Sequence, residues 1–304
     1  MKLLRLILFT SWLAATAGAF AQEANLKIIH DKTEAQLREI AARSRGALGY
    51  CAVDLTSGER FALNEDAVFP QASAIKIAIL MEVYKQAEAG KFKLADKRRI
   101  AKADKTGGSG VLIELGDGTV ELSWHDLCVL MILVSDNTAT NLLIDLVGME
   151  NINRTLESLG LKHTRVRRRM LDTGASWRGD ENTSTPAEAA RIMEILFKGE
   201  FVSRKVCDEI IAILKKGKTS NLKSGLPADV AIASKPGAIS GVATEWAIVY
   251  LKERPYVLVV MENYGLEDDA PTALKEISRT LYDYFSRLAR ATPHGTYVEK
   301  PREK

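Results

Sequence analysis

The sequence predicts an α/β (α+β) fold, in which one antiparallel sheet is assembled from both ends of the chain and an all-helical block is inserted between them. Three observations carry this. Runs rich in β-branched and aromatic residues lie near both ends, "ALGYCAVDL" and "ERFAL" early, "VAIAS", "EWAIVYL" and "YVLVVME" late. The stretch between them is dominated by helical periodicity and helix-start signals. Amphipathic helical segments bracket the strands, one before the first run and one after the last.

The elements follow in order. Residues 1–21 read as a secretory signal, with Lys2 and Arg5 ahead of an apolar run from Leu6 to Ala17 and an A-x-A cleavage site at Ala19-Phe20-Ala21. That run is short for a bilayer span and no other segment could make one. A mature periplasmic or secreted protein beginning near Gln22, with no stable membrane anchor, is therefore expected. Leu37, Ile40 and Ala41 then repeat on a helix stopped by Gly46, and Thr56-Ser57-Gly58 marks a hairpin between the first two strands. From Gln71 to Gly90 the chain is apolar on nearly every face, as a helix at the centre of a domain would be.

Ser123 and Asp126 form a capping-box-like start for a helix carrying Leu127, Leu130, Met131 and Val134. A second helical piece runs from near Thr138 to Gly148, so Ser135-Asp136-Asn137 falls at a helix junction. Thr185, Pro186 and Glu188 open another helix as N-cap, first-turn proline and capping acid. About twenty residues before it, 164–184, show no secondary structure of their own, and loops that long in a compact domain are usually functional or disordered. Lys252-Glu253-Arg254-Pro255 joins the last two strands, and Leu274, Ile277, Leu281, Phe285 and Leu288 stripe a final helix. The expected domains are a discontinuous sheet part at 22–70 and 222–290, a helical part at 71–221 with its loop at 162–184, and a disordered tail at 291–304.

Composition narrows the function. Removing residues 1–21 takes two of the 42 basic residues and none of the 39 acidic ones, leaving a net charge of +1. So balanced a protein is a poor nucleic-acid binder, and the cluster Arg165, Arg167, Arg168 and Arg169 needs a local explanation. Cys51, Cys128 and Cys207 are odd in number and widely spaced, which points to buried free thiols rather than a disulfide framework or metal site.

Three short motifs carry chemistry. In "QASAIKIA", Ser73 and Lys76 are three apart and share a helix face. A serine hydroxyl becomes a good nucleophile when a base takes its proton, and lysine can be that base once burial or a neighbouring cation depresses its pKa. Ser-x-x-Lys alone arises by chance about once in a chain of this size. Ser135-Asp136-Asn137 is rarer, and "SKPGA" places Lys235 at a strand end with Gly237 following.

In order and spacing, the three motifs together resemble the penicillin-recognising serine enzymes, specifically the class A β-lactamases. The resemblance runs from "LGYCAVDLTSGERFALNEDAVFPQAS" through "GGSGVLIEL" and "LMILVSDNTATNLLIDLVG" to "ASKPGA". It implies the β-lactamase/transpeptidase-like fold and a serine hydrolase opening β-lactams through an acyl-Ser73 intermediate. Lys76 would activate Ser73, Ser135 would pass the proton to the leaving nitrogen, and Asn137 would hold Lys76 and substrate. Lys235 would attract the substrate carboxylate, with Gly237, Ala238 and Thr244 also lining the substrate. The N–H groups of Ser73 and Ala238 would form the oxyanion hole. No metal or other cofactor is implied, and a monomer acting on a β-lactam or D-Ala-D-Ala-like small molecule is expected.

The chain departs from the family pattern in two places. The loop lacks the family's glutamate followed four residues later by asparagine; counting back from Thr185-Pro186, its place falls at Arg168 or Arg169. Asp172 and Glu181 are the substitutes to consider as deacylation base, and Arg167 with Asn182 stands near the places where an arginine–aspartate pair braces the loop in relatives. Pro236 replaces a usual Thr or Ser, leaving Ser234 or Thr244 to compensate, and no arginine occurs in "ISGVATEWAIV". Cys128 sits where some relatives have a disulfide, but Leu80 occupies the partner's place. The missing glutamate keeps two alternatives in view: a D-alanyl-D-alanine carboxypeptidase or related peptidoglycan amidase, and a sensor that is acylated without turnover.

Overall fold

The computed structural model describes residues 24–266, 269–292 and 294–298, so the expected signal segment lies outside the described residues. Helix α1 (24–43) starts earlier than its apolar repeat alone suggests and ends before Gly46. Strands β1 (Ala47–Asp54) and β2 (Arg60–Leu63) form a hairpin about Gly58, whose φ of +80° suits a residue without Cβ. The short β3 (Phe69–Pro70) leads into a 3₁₀ turn, Ala72–Ile75, and then helix α2 (Lys76–Glu88), buried at most positions.

A small ribbon, β4 (Lys97–Arg99) with β5 (Glu121–Ser123), precedes α3 (Trp124–Leu133), whose Ser123 and Asp126 make the expected reciprocal cap. Then come α4 (Asn137–Val147), α5 (Met149–Ser158), α6 (Thr173–Trp177), β6 (Thr183–Ser184), α7 (Pro186–Lys198), α8 (Arg204–Leu214) and α9 (Asn221–Ser224). The chain returns through β7 (Ala231–Ile239), β8 (Val242–Tyr250) and β9 (Tyr256–Asn263) to the long α10 (Asp269–Arg290).

The five long strands make one antiparallel sheet in the order β2-β1-β9-β8-β7. Alternation along each strand feeds two cores. Tyr50, Ala52, Leu258 and Val260 face Leu274, Ile277, Leu281 and Phe285 of α10 and Leu37 of α1. Cys51, Val53, Val259 and Met261 face the helical block around α2. Cys51, Cys128 and Cys207 are buried free thiols in that second core. Among the described residues no helix is long and apolar enough to cross a membrane.

Three local expectations change. The loop before α7 is not featureless: Asp172 caps the short α6 by accepting from Ala175 N–H at 2.9 Å, and Arg165 bridges to Thr183. The tail, expected to be without structure, carries an antiparallel bridge between Ala291 and Tyr297 where it is described. Lys235 lies within β7 rather than at its end, because the strand continues through Pro236 to Ile239. Proline fits there since β7 is the sheet edge and has no outer strand waiting for its missing N–H.

Candidate active site

The site is built where the edge strand β7 meets the turn before α2. Gly237 is pressed onto that turn: a Cβ there would stand 2.6 Å from Gln71 O, 2.6 Å from Ala74 N and 2.8 Å from Ser73 N. Such distances exclude any side chain, so the glycine sets how closely the backbones of Ser73 and Ala238 converge. Gln71, which sequence reasoning did not single out, fixes the same turn from below. Its carbonyl accepts from Thr244 Oγ1 at 3.0 Å, its amide oxygen from Trp246 Nε1 at 2.9 Å, and its amide nitrogen donates to Phe69 O at 2.8 Å. Thr244, expected beside the substrate, is thus a buried brace for the turn.

The 3₁₀ turn places Ser73 and Lys76 one above the other, since residues three apart eclipse in that geometry. Ser73 is half-buried while Lys76 is fully buried. The Lys76 ammonium donates to Ser135 O at 2.7 Å, Ser135 Oγ at 3.0 Å and Asn137 Oδ1 at 3.0 Å. Its pKa is held well below the lysine value of 10.5, first by burial and then by the charge of Lys235, against a weaker opposing pull from Asp136.

Ser135 reaches this position because its backbone is left-handed, with φ of +56°. Asp136 stabilises the junction: it caps α4 through Ala139 N–H at 2.9 Å and accepts Val111 N–H at 2.7 Å and Leu112 N–H at 2.9 Å. Lys235 comes in from the edge strand β7, 2.7 Å from Pro236 O and 3.2 Å from Ser135 Oγ. Burial and the nearby Lys218 lower its pKa to about 7, with Glu245 opposing. Ser73, Lys76, Ser135, Asn137, Lys235, Gly237 and Ala238 are therefore drawn to one cleft. A buried, easily deprotonated lysine between two hydroxyls can move a proton from one to the other.

The loop wall is different. The loop residues that meet α4 are Met170 and Leu171, while Arg168 and Arg169 pair with Glu181 and Asp145. Asn141, one turn beyond Asn137 on α4, clamps the Met170 backbone on both sides, accepting its N–H at 2.8 Å and donating to its C=O at 3.2 Å. A Cβ at Gly108 would stand 2.9 Å from Asn137 Nδ2 and 3.2 Å from Leu171 Cδ1, so Gly108 and Leu171 meet at the asparagine.

Both acids considered as a base are engaged within the loop. Asp172 is exposed and caps α6. Glu181 pairs with Arg168 at 2.7 Å and accepts from Ser176 Oγ and Asn182 N–H, each at 2.9 Å. The four arginines are staples of the same kind: Arg165 on Glu157, Arg167 on Glu181 O and Thr183 Oγ1, Arg168 on Glu181, Arg169 on Asp145. Asn182 does brace the loop near Arg167, but through backbone, accepting the N–H groups of Arg167 at 2.8 Å and Arg168 at 3.1 Å. Glu188 performs only half of a capping box. Its N–H donates to Thr185 Oγ1, while its carboxylate accepts the N–H groups of Lys162, His163 and Thr164 at the loop's start.

The chain is similar to known proteins over most of its length. The model of the β-lactamase enzyme family matches residues 32–285. An imipenem-hydrolysing β-lactamase of Enterobacter cloacae is 25% identical over 91% of this chain and 95% of its own length. Beta-lactamase AST-1 of Nocardia asteroides is 30% identical over 81% of each chain. Among solved structures, a β-lactamase from Sphaerobacter thermophilus superposes with a TM-score of 0.76 at 32% identity, covering 84% of this chain and 97% of the other. PBP-A superposes with 0.77 at 26% identity, covering 84% and 96%. With the family model spanning both walls of the cleft and the sheet beneath it, the chain belongs to the β-lactamase enzyme family.

Proposed function

We propose that the protein is a serine β-lactamase, hydrolysing the β-lactam amide through an acyl-Ser73 intermediate. The observation that most supports this is the fully buried Lys76 ammonium shared by Ser135 Oγ and Asn137 Oδ1 directly below Ser73. Neutral Lys76 takes the Ser73 proton as Oγ attacks the lactam carbonyl. The developing oxyanion is met by the N–H groups of Ser73 and Ala238, fixed in place by Gly237. The proton passes from Lys76 through Ser135 to the ring nitrogen as the C–N bond breaks, and Asn137 holds Lys76 throughout. Lys235 draws in the carboxylate of the substrate.

The second half-reaction is the slow one in this reading. Hydrolysis of the acyl-serine needs a group to take a proton from water, and the loop residues that meet α4 are Met170 and Leu171 while Asp172 and Glu181 are committed elsewhere. The acyl-enzyme therefore accumulates during turnover. The enzyme acts as a monomer on antibiotic outside the cytoplasm and so confers resistance; the exported form should begin at Gln22, which N-terminal sequencing reads directly.

The test is labelling with a fluorescent penicillin alongside product formation from a chromogenic cephalosporin. Wild type should label and release product well beyond one equivalent, and Ser73→Ala should do neither. Labelling that survives Ser73→Ala would remove the proposal. Labelling of wild type that ends in one equivalent of product would move the protein to the peptidoglycan amidases or to a sensor.

A further inference from the structure

A second cavity lies on the face of the sheet turned away from the cleft. In the strand register Ala238 stands opposite Ala243, and Ala243 opposite Glu262. Directly opposed residues share a face, and this row shares it with Leu258 and Val260, which pack towards α10 and α1. Lys235 and Gly237 alternate to the other side, where they meet Ser135 and the turn at Ser73. The two alanines leave room that larger side chains would fill. A cavity of about 290 Å³ opens there, between the row, the β7–β8 turn and the start of α10.

One side chain is out of keeping with the rest of its wall. Ala238 and Ala243 are joined by Leu266, Ala270 and Pro271, and Ile239 and Leu266 are exposed apolar side chains, yet fully buried Glu262 also lines the space. Its carboxylate is held in place. Ser44 Oγ donates to Oε1, and glycines flank it: a Cβ at Gly46 would stand 2.7 Å from Oε1, and one at Gly265 would stand 3.2 Å from Oε2. Oε2 itself is buried and has no hydrogen-bond partner among the described residues. Pro271, in the first turn of α10, has no N–H to offer it. A buried carboxylate oxygen without a donor is costly, so the position calls for one. Water serves poorly, because an ordered buried water needs two to four polar partners and this wall is mostly apolar.

We propose that the cavity is a binding site for a small organic ammonium ion, whose N–H donates to Glu262 Oε2 while its apolar body covers Ala238 and Ala243. A hard metal ion does not fit, since it takes six or more oxygen ligands and Glu262 is the one carboxylate among the described lining residues. Anions are repelled by Glu262, and a neutral apolar molecule leaves Oε2 unpaired. The space, about ten water volumes, suits a single ring with a short amine arm. This site lies on the opposite face from Ser73 and stands independently of the β-lactamase reading.

The experiment titrates ¹⁵N-labelled mature protein with benzylamine at pH 7, where the amine is protonated, and follows backbone amide shifts, with benzyl alcohol as the neutral control. Saturable shifts should centre on Ala238, Ala243, Gly265 and Ala270. Benzyl alcohol should bind at least about 10-fold more weakly, and Glu262→Gln should weaken benzylamine by a similar factor, the loss expected when a charge-assisted hydrogen bond is removed. Ala243→Leu keeps the carboxylate and fills the space, so it should abolish binding, and it replaces Glu262→Gln should that variant fail to fold. The absence of saturable shifts, shifts confined to the cleft around Ser73 and Ser135, equal affinity for the alcohol, or unchanged affinity in either variant would overturn the proposal. Penicillin labelling takes no part in this readout, so failure of this site and failure of the β-lactamase reading are separate results.

Discussion

The two walls of the cleft use charge in opposite ways. On the wall formed by the start of α2, the Ser135–Asn137 junction and β7, cations converge: Lys76 and Lys235 both reach Ser135 Oγ. Both are buried and both have lowered pKa values, so each is poised to bind or exchange a proton. On the loop wall every arginine of the cluster is turned onto a carboxylate or carbonyl of its own neighbourhood, and Met170 and Leu171 are the residues that meet α4. On the proposed mechanism, poised charge marks the acylating machinery, whereas paired charge marks its scaffold. A density of arginines in sequence is therefore no measure of what faces the substrate.

The largest effects come from breaking the first wall. Lys76→Met should slow penicillin labelling by about 10²-fold or more, the range expected for loss of a general base. The same change should raise the melting temperature near neutral pH. A lysine whose folded pKa lies below its unfolded value of 10.5 penalises the folded state while the unfolded chain is protonated, and that penalty fades as pH approaches 10.5. The gain from Lys76→Met should accordingly shrink between pH 7 and 10, which melts across that range would show. Gly237→Ala should also cripple labelling, because the added methyl would collide with backbone at Gln71 and Ala74.

Giving the second wall a poised charge sharpens the contrast. Met170→Glu puts a carboxylate on backbone clamped by Asn141, and acyl-enzyme lifetime measured after rapid removal of free penicillin should shorten by about 10-fold or more. An unchanged lifetime would mean that Met170 does not border the acyl carbonyl. Breaking the scaffold should cost stability instead. Arg168→Ala removes a pair whose side chains are only 10% and 18% exposed, and should lower unfolding free energy by about 1–3 kcal/mol in a denaturant titration. The smallest effect belongs to Asp172→Asn, since asparagine caps a helix as well as aspartate. Product formation and melting should be unchanged, and a large fall in turnover would restore Asp172 as a base.

Much of this was legible in sequence because it depends on local rules. The capping pair at Ser123 and Asp126, the Gly58 hairpin and the striped final helix follow from periodicity and turn chemistry, and Ser73, Lys76, Ser135, Asn137 and Lys235 from motif order. What escaped depends on contacts between distant segments. Gln71 acts through Thr244 and Trp246, Asn141 through Met170, and Glu262 through Ser44, each more than ten residues away. Which loop residue meets α4 was not legible either, because only the Asn141 clamp on the Met170 backbone reveals it. For Asn141, the one available signal was its place on the face of α4 that carries Asn137.

The most direct test of the account is intact mass followed over time after mixing the mature protein with a small excess of chromogenic cephalosporin, with product read in parallel. The account predicts an adduct, mapped to Ser73 by peptide digestion, that dominates the spectrum while product passes one equivalent and then decays as substrate is exhausted. Product beyond one equivalent with no adduct, or an adduct on any other residue, would contradict it.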